Sequence, residues 1–319
     1  MRFAWLLRFL LLFFAVFALN AQALPWKKTE AVKAELISQA TSVQPGSSIR
    51  LGVLLTGWHT YWKTPGDTGL PTTIDWTLPE GWKAGQIQWP TPNLYVVGDL
   101  TNFGYEDSVL LPVSISVPAS AKEGDYVAKA NVSWLMCAEQ CIPGSASFDV
   151  PVKVSKTEPA PSPNAGLFQT NEGLTPAPLK TVSAKVDTSN HALSVTFKTS
   201  EPFNHFYVFT EGEGAVDYKA PQSVSKNGDE VTVRLQGTEE LKAGDTLSGV
   251  FAADGGPAKG GWSGSFSHVL VTGTVTPPSA SSDNTDVNLT VWLAAGMSFL
   301  GGLILNLMPC VFPVLSLKM

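Results

Sequence analysis

Cysteine is nearly absent. The chain has 319 residues and three cysteines, Cys137, Cys141 and Cys310, which excludes a scaffold held together by disulfides. Charge is scarce as well: 15% of residues are charged, the formal net charge is −6, and no Lys/Arg run breaks the sequence. A nucleic-acid role therefore has no electrostatic support. Long helical patterns are missing from the middle of the chain, while 28 glycines and 23 prolines punctuate it. That combination favours an all-β body. Histidine is limited to four positions, and His191, His205 and His268 show no metal-ligand spacing. No cofactor or metal site is expected.

The two ends carry the long apolar stretches. Arg2 and Arg8 precede an apolar core from Leu10 to Leu19, and Ala21-Gln22-Ala23 is a small-x-small cleavage site. Residues 1–23 read as a secretory signal peptide. From Val287 to Leu317 there is no charged residue, a run longer than the roughly 20 residues a spanning helix needs. Asp286 before it and Lys318 after it agree with an outside-to-inside crossing. A cysteine between Pro309 and Pro313 is odd for a lone anchor, so the chain reads as a fragment of a longer polytopic protein. Export would expose the cysteines to an oxidising compartment.

Between these ends lie two β units. In residues 24–155, runs such as Ser48 to Leu55, Val109 to Val117 and Tyr126 to Cys137 alternate partly with period 2, separated by Gln44-Pro45-Gly46, Pro79-Glu80-Gly81 and Lys122-Glu123-Gly124. Residues 156–179 are proline-rich and read as a semi-extended linker. Residues 180–275 repeat the strand-and-turn pattern, with Asn227-Gly228 as a hairpin signal. Residues 276–286 are a tether. The fold class expected is mostly β: two immunoglobulin-like sandwiches in tandem, then a transmembrane helix. The second unit, without cysteine, reads as a spacer or docking domain.

The chemistry centres on Cys137-x-x-x-Cys141. Cys137 ends a strand-like run, and Ile142-Pro143-Gly144 is expected to turn the chain. Two cysteines so placed can bond if their Cα atoms come within about 7 Å. The five-residue loop so closed would add only about 2 kcal/mol by the chain-entropy estimate, against about 4.7 for a 100-residue loop. A bond that adds so little can open without unfolding the domain, as a cycling pair requires. A local structural staple stays open as an alternative. So does Cu(I) held by the two thiolates with Met136, since soft ligands select that ion. Glu139 would raise a neighbouring thiol's pKa if it lay close. Trp58, Trp62, Trp76, Trp82 and Trp89 fall within 32 positions. They read as core filling; the sharper alternative is that some of them, or Phe103 and Tyr105, shield the sulfurs, a cap that only a family resemblance implies.

Three stretches together resemble one family: GWHTYWKTPGDTGLP at 57–71, VSWLMCAEQCIP at 132–143 and LNLMPCVFPVLSLK at 305–318. They resemble the DsbD-like protein-disulfide reductases, and the two exported β units look most like the ScsB (suppressor of copper sensitivity) form. The resemblance implies a periplasmic reductase anchored in the inner membrane. It implies that Cys137 and Cys141 are the exchange pair of the N-terminal domain, and that Cys310 is the first membrane cysteine, its partner lying on a later helix. Electrons would run from cytoplasmic thioredoxin through the membrane domain to a thioredoxin-like domain that this chain lacks. From there they would pass to the N-terminal domain and on to periplasmic thioredoxin-like or disulfide isomerase proteins. Copper tolerance and cytochrome c assembly are the processes such a reductase would serve.

Overall fold

A computed structural model describes residues 32–137, 141–179, 181–187, 190–212 and 214–273. The signal peptide, Glu139, the tether and the segment carrying Cys310 lie outside them. Among the described residues no helix is long and apolar enough to cross a membrane. They are mostly strand, arranged as two curled sheets.

The first sheet is built on long strands. These are β1 (Lys33–Ser38), β2 (Ser42–Val43), β3 (Ser48–Gly66), β4 (Thr73–Thr77), β5 (Lys83–Ile87), β6 (Asn93–Val97), β7 (Leu100–Ser116), β8 (Gly124–Cys137) and β9 (Cys141–Val154). Their main path runs β2-β9-β8-β3-β7-β5, with β1 on β3, β4 on β8 and β6 on β7. Alternation sets the core. Ile49, Leu51, Val53 and Leu55 of β3 are buried, as are Val109, Leu111, Val113 and Ile115 of β7 and Ala128, Ala130, Val132, Trp134 and Met136 of β8. Each large apolar side chain buried this way contributes about 1.5–3 kcal/mol.

Strand β3 runs well past the expected end at Leu55. Gly57 adopts φ 127° and pairs with Asp107, itself at φ 60°. The register against β7 shifts between Gly57 and Thr60, the mark of a bulge that bends a strand and re-aims its side chains. Beyond it, β3 also reaches β8: His59 pairs with Cys137 and Thr60 with Met136.

The second sheet comprises β10 (Ala177–Pro178), β11 (Val182–Val186), β12 (Ala192–Lys198), β13 (Phe206–Glu211), β14 (Ser223–Asn227), β15 (Glu230–Gln236), β16 (Thr246–Ala253) and β17 (Trp262–Gly273). The main path is β13-β16-β17-β11-β12-β15-β14. The hairpin expected at Asn227-Gly228 is present: Asn227 pairs with Glu230 and Gly228 takes φ 60°.

The stretch expected to be semi-extended holds a helix, α1 (Ala165–Leu174). The prolines lie at 159, 161 and 163 and again at 176 and 178, so the twelve residues between are free to coil. Phe168 on this helix is fully buried against Ile37 and Leu110.

The two sheets share a core. Phe209, Val250 and Ala252 of the second join Trp62, Phe103 and Tyr105 of the first. The Phe103 ring meets Phe209 edge-on at 5.0 Å and Tyr218 at 5.1 Å, and Trp62 meets Phe209 at 6.2 Å. Lys63 pairs with Glu211, and the Thr91 hydroxyl donates to Ser263 Oγ at 2.6 Å. The second β unit is thus packed directly onto the first.

Candidate redox site

Cys137 and Cys141 are disulfide-bonded, with Cα atoms 4.1 Å apart. They are the last pair of the β8–β9 ladder, which runs down to Gly124 opposite Val154. Directly opposed residues in antiparallel strands present their side chains on one face, close together. That ladder holds the hairpin whether or not the sulfurs are joined. Ile142, Pro143 and Gly144, expected to turn the chain, lie inside β9 opposite Met136, Leu135 and Trp134. Gly144 is needed there because a Cβ would overlap the Trp134 indole.

The two sulfurs are not equivalent. Cys137 is 8% exposed, whereas Cys141 belongs to the exposed residues. The Tyr61 hydroxyl donates to Cys137 Sγ at 3.0 Å and lies 3.7 Å from Cys141 Sγ. Burial pushes the Tyr61 phenol above its ordinary pKa, so it keeps its proton and stays a donor.

Alternation explains the company Tyr61 keeps. His59, Tyr61 and Cys137 share the face on which Gly104 and Asn102 of β7 also lie. The His59 ring sits 4.8 Å from Tyr61 and 4.4 Å from Tyr95 of β6. Gly104, opposite Tyr61, has no side chain to displace the imidazole, and a Cβ there would overlap it. The second half of the 57–71 motif folds back over the phenol. Thr68 donates from its amide and hydroxyl to Asn102 Oδ1 at 3.1 and 3.0 Å. Asp67 Oδ2 accepts from the Thr101 amide at 2.8 Å. Gly69, at φ 117°, lies so close to the Tyr61 ring that a Cβ would overlap it.

Phe103 and Tyr105 do not shield the sulfurs. They point to the other side of the sheet, into the core. Phe103 is fully buried and Tyr105 donates to the Pro90 carbonyl at 2.8 Å. The groups beside the pair are Tyr61, then His59 and Tyr95 behind it. The tryptophans do fill the core: Trp62 and Trp82 are buried, and Trp58, Trp76 and Trp89 pack against it. Met136 faces that core too, its sulfur accepting from the Val32 amide at 3.3 Å. It does not join the cysteines, so the copper alternative loses its third ligand. Among the described residues no group of three or more His, Cys, Asp or Glu is placed to hold a metal ion.

Residues 28–153 match the family model described as thiol:disulfide interchange protein DsbD, N-terminal. No curated protein sequence matches the chain. Among solved structures, the N-terminal periplasmic domain of ScsB from Proteus mirabilis aligns with a TM-score of 0.56 at 16% identity, covering 78% of this chain and 97% of that one. The mouse nectin-like molecule 4 ectodomain aligns with a TM-score of only 0.20 at 13% identity, over 76% of this chain and 66% of that one. The former shares the fold across both β units; the latter carries no argument. With a disulfide between an exposed and a buried cysteine at its hairpin end, the segment 28–153 is a DsbD-type N-terminal domain, a thiol–disulfide exchange module.

Proposed function

We propose that this chain is the periplasmic part of a membrane protein-disulfide reductase that passes electrons to periplasmic proteins through Cys137 and Cys141. The observation that carries this reading is the asymmetry of the pair, one sulfur accessible and the other buried under a phenol, in a bond the hairpin does not depend on.

The chemistry follows from that asymmetry. In the reduced domain Cys141, the exposed residue, attacks a partner's disulfide as the thiolate. One partner sulfur leaves with the electron pair, and the other is held in a mixed disulfide on Cys141. Cys137 then attacks Cys141 Sγ, the internal bond closes, and the partner departs reduced by two electrons. Re-reduction reverses these steps: a donor thiolate attacks Cys141 Sγ and the electrons of the broken bond leave on Cys137. There the Tyr61 hydroxyl meets them with a charge-assisted hydrogen bond.

The donor in this reading is a thioredoxin-like domain, supplied from cytoplasmic thioredoxin through membrane cysteines of which Cys310 is one. The acceptors are periplasmic thioredoxin-like or disulfide isomerase proteins. Support for the periplasmic, membrane-tethered setting comes from the apolar runs at 10–19 and 287–317 and from the fold shared with the ScsB domain. The test is trapping. Incubated with an oxidised thioredoxin-fold protein, reduced Cys137→Ser protein accumulates a mixed disulfide through Cys141, and Cys141→Ser protein does not. Equal trapping by both, or by neither, removes the assignment.

A further inference from the structure

We propose that His59 is a positioning residue of the exchange reaction: its ring keeps the Tyr61 hydroxyl on the Cys137 sulfur, and it carries a proton when that sulfur is a thiolate. The proposal builds on the exchange reading above and adds a residue and a proton to it.

Placement comes first. His59 is the direct cross-strand partner of Cys137, and such partners have Cβ atoms about 4.5–5.5 Å apart. Its ring is wedged between those of Tyr61 and Tyr95, so removing it would free the phenol that touches the sulfur.

The second observation is an unmet atom. His59 Nε2 is fully buried over Gly104 of β7 and has no hydrogen-bond partner. A buried polar atom left unpaired costs free energy, and its persistence asks for an explanation. The surroundings supply one, because burial is what shifts the ring while the disulfide is closed, although the charges of Glu106 and Asp107 reach the neighbouring Tyr95. Tyr61 on its own strand and Tyr95 on β6 are both held neutral by burial, Tyr95 at about 12. Cys137 on β8 is bonded. The carboxylates on the neighbouring stretch of β7, Glu106 and Asp107, are exposed. Burial accordingly lowers the His59 pKa, and the ring is neutral.

Opening the bond changes that balance. A donor thiolate attacks Cys141 Sγ, a new sulfur–sulfur bond forms, and the electron pair of the old one leaves on Cys137 Sγ. A negative charge then stands on the residue paired across the strands with His59, whose partly buried imidazole had no counter-charge. An opposite charge on the paired residue favours the protonated ring, so a proton from solvent settles on His59 and the imidazolium balances the thiolate across the Tyr61 phenol. In the forward direction the same pair keeps Cys137 nucleophilic for its attack on the mixed disulfide. As Cys137 gives up its electron pair to the new bond, His59 returns the proton to solvent.

The experiment is a thiol titration in the full chain carrying Cys141→Ser and Cys310→Ser, so that Cys137 is the one thiol. Thiolate absorbance at 240 nm is followed against pH, with and without His59→Phe, which keeps a ring for packing but cannot carry a proton. The proposal predicts that H59F moves the Cys137 midpoint upward by about one pH unit, the size expected when a nearby opposite charge is removed. His59→Gln, should H59F fold poorly, gives the same upward shift. Coincident titration curves with and without His59 overturn the proposal, because packing alone would leave them unchanged. The titration needs no redox partner. A failure of the trapping experiment above would therefore remove the exchange reading without moving this result, and the reverse also holds.

Discussion

The hydroxyl of Tyr61 lies 3.0 Å from the sulfur of Cys137 and donates to it. Two residues 76 positions apart in sequence meet because a bulge at Gly57 lets β3 pair with β7 along most of its length and with β8 at His59 and Thr60. One sulfur of the pair is thereby buried under a donor while the other stays open, and the proposed directional chemistry rests on that difference.

Replacing Tyr61 with Phe removes the donor and keeps the ring. The leaving thiolate on Cys137 then loses a charge-assisted hydrogen bond, worth about 1.5–3 kcal/mol. Opening by dithiothreitol, followed by tryptophan fluorescence, should slow by roughly tenfold or more, with the fold retained. An unchanged rate would show that the contact has no part in the reaction.

Gly69 and Gly166 offer a contrast. An alanine at 69 would have to adopt φ 117° and would overlap the Tyr61 ring, whereas one at 166, in α1, meets nothing within 4 Å. Gly69→Ala should therefore destabilise by about 1–3 kcal/mol, and Gly166→Ala should stabilise by up to about 1 kcal/mol. Urea unfolding of the oxidised protein measures both.

The second β unit is expected to support the first. Phe209, 2% exposed, packs on Trp62 and Phe103, the neighbours in sequence of Tyr61 and Gly104. Phe209→Ala should cost about 3–5 kcal/mol, and it should slow opening of the disulfide by loosening the strands that hold the Tyr61 donor on Cys137. A free-standing spacer would lose the stability and leave the opening rate unchanged.

Acid should weaken the oxidised protein. Burial depresses the His59 pKa below its ordinary 6.5, so the unfolded chain binds the proton more readily than the folded one. The corresponding stability is complete above pH 6.5 and declines as pH falls through the depressed value. Thermal melts between about pH 7.5 and 4.5 should show this decline, and His59→Phe should flatten its His-dependent part.

Much of this architecture could be read from alternation and turn residues. The apolar rows of β3, β7 and β8 and the Asn227-Gly228 hairpin need only local patterning to be found. The cysteine pair stood out because there is so little cysteine elsewhere. The rest depended on tertiary relations. The expected strand ended at Leu55, where its clear alternation ends; Gly57 is a bulge through which β3 continues, and His59 and Tyr61 lie beyond it. The alternation His59, Tyr61 against Trp58, Thr60, Trp62 was the available signal. Phe103 and Tyr105 were candidate shields because the family resemblance implies a cap without locating it; the register, which pairs Tyr105 with Thr60 and Gly104 with Tyr61, shows that they face the core. The turn expected at Ile142–Gly144 failed because Pro143 and Gly144 are tolerated opposite Leu135 and Trp134 at the hairpin end.

The most direct test of the account is the reduction potential of the Cys137–Cys141 pair, measured in Cys310→Ser protein equilibrated with glutathione buffers. A pair built to cycle should fall between about −180 and −270 mV, the range of exchange proteins. A value well below about −300 mV would mark a bond that resists reduction and would contradict the assignment of these cysteines as an exchange pair.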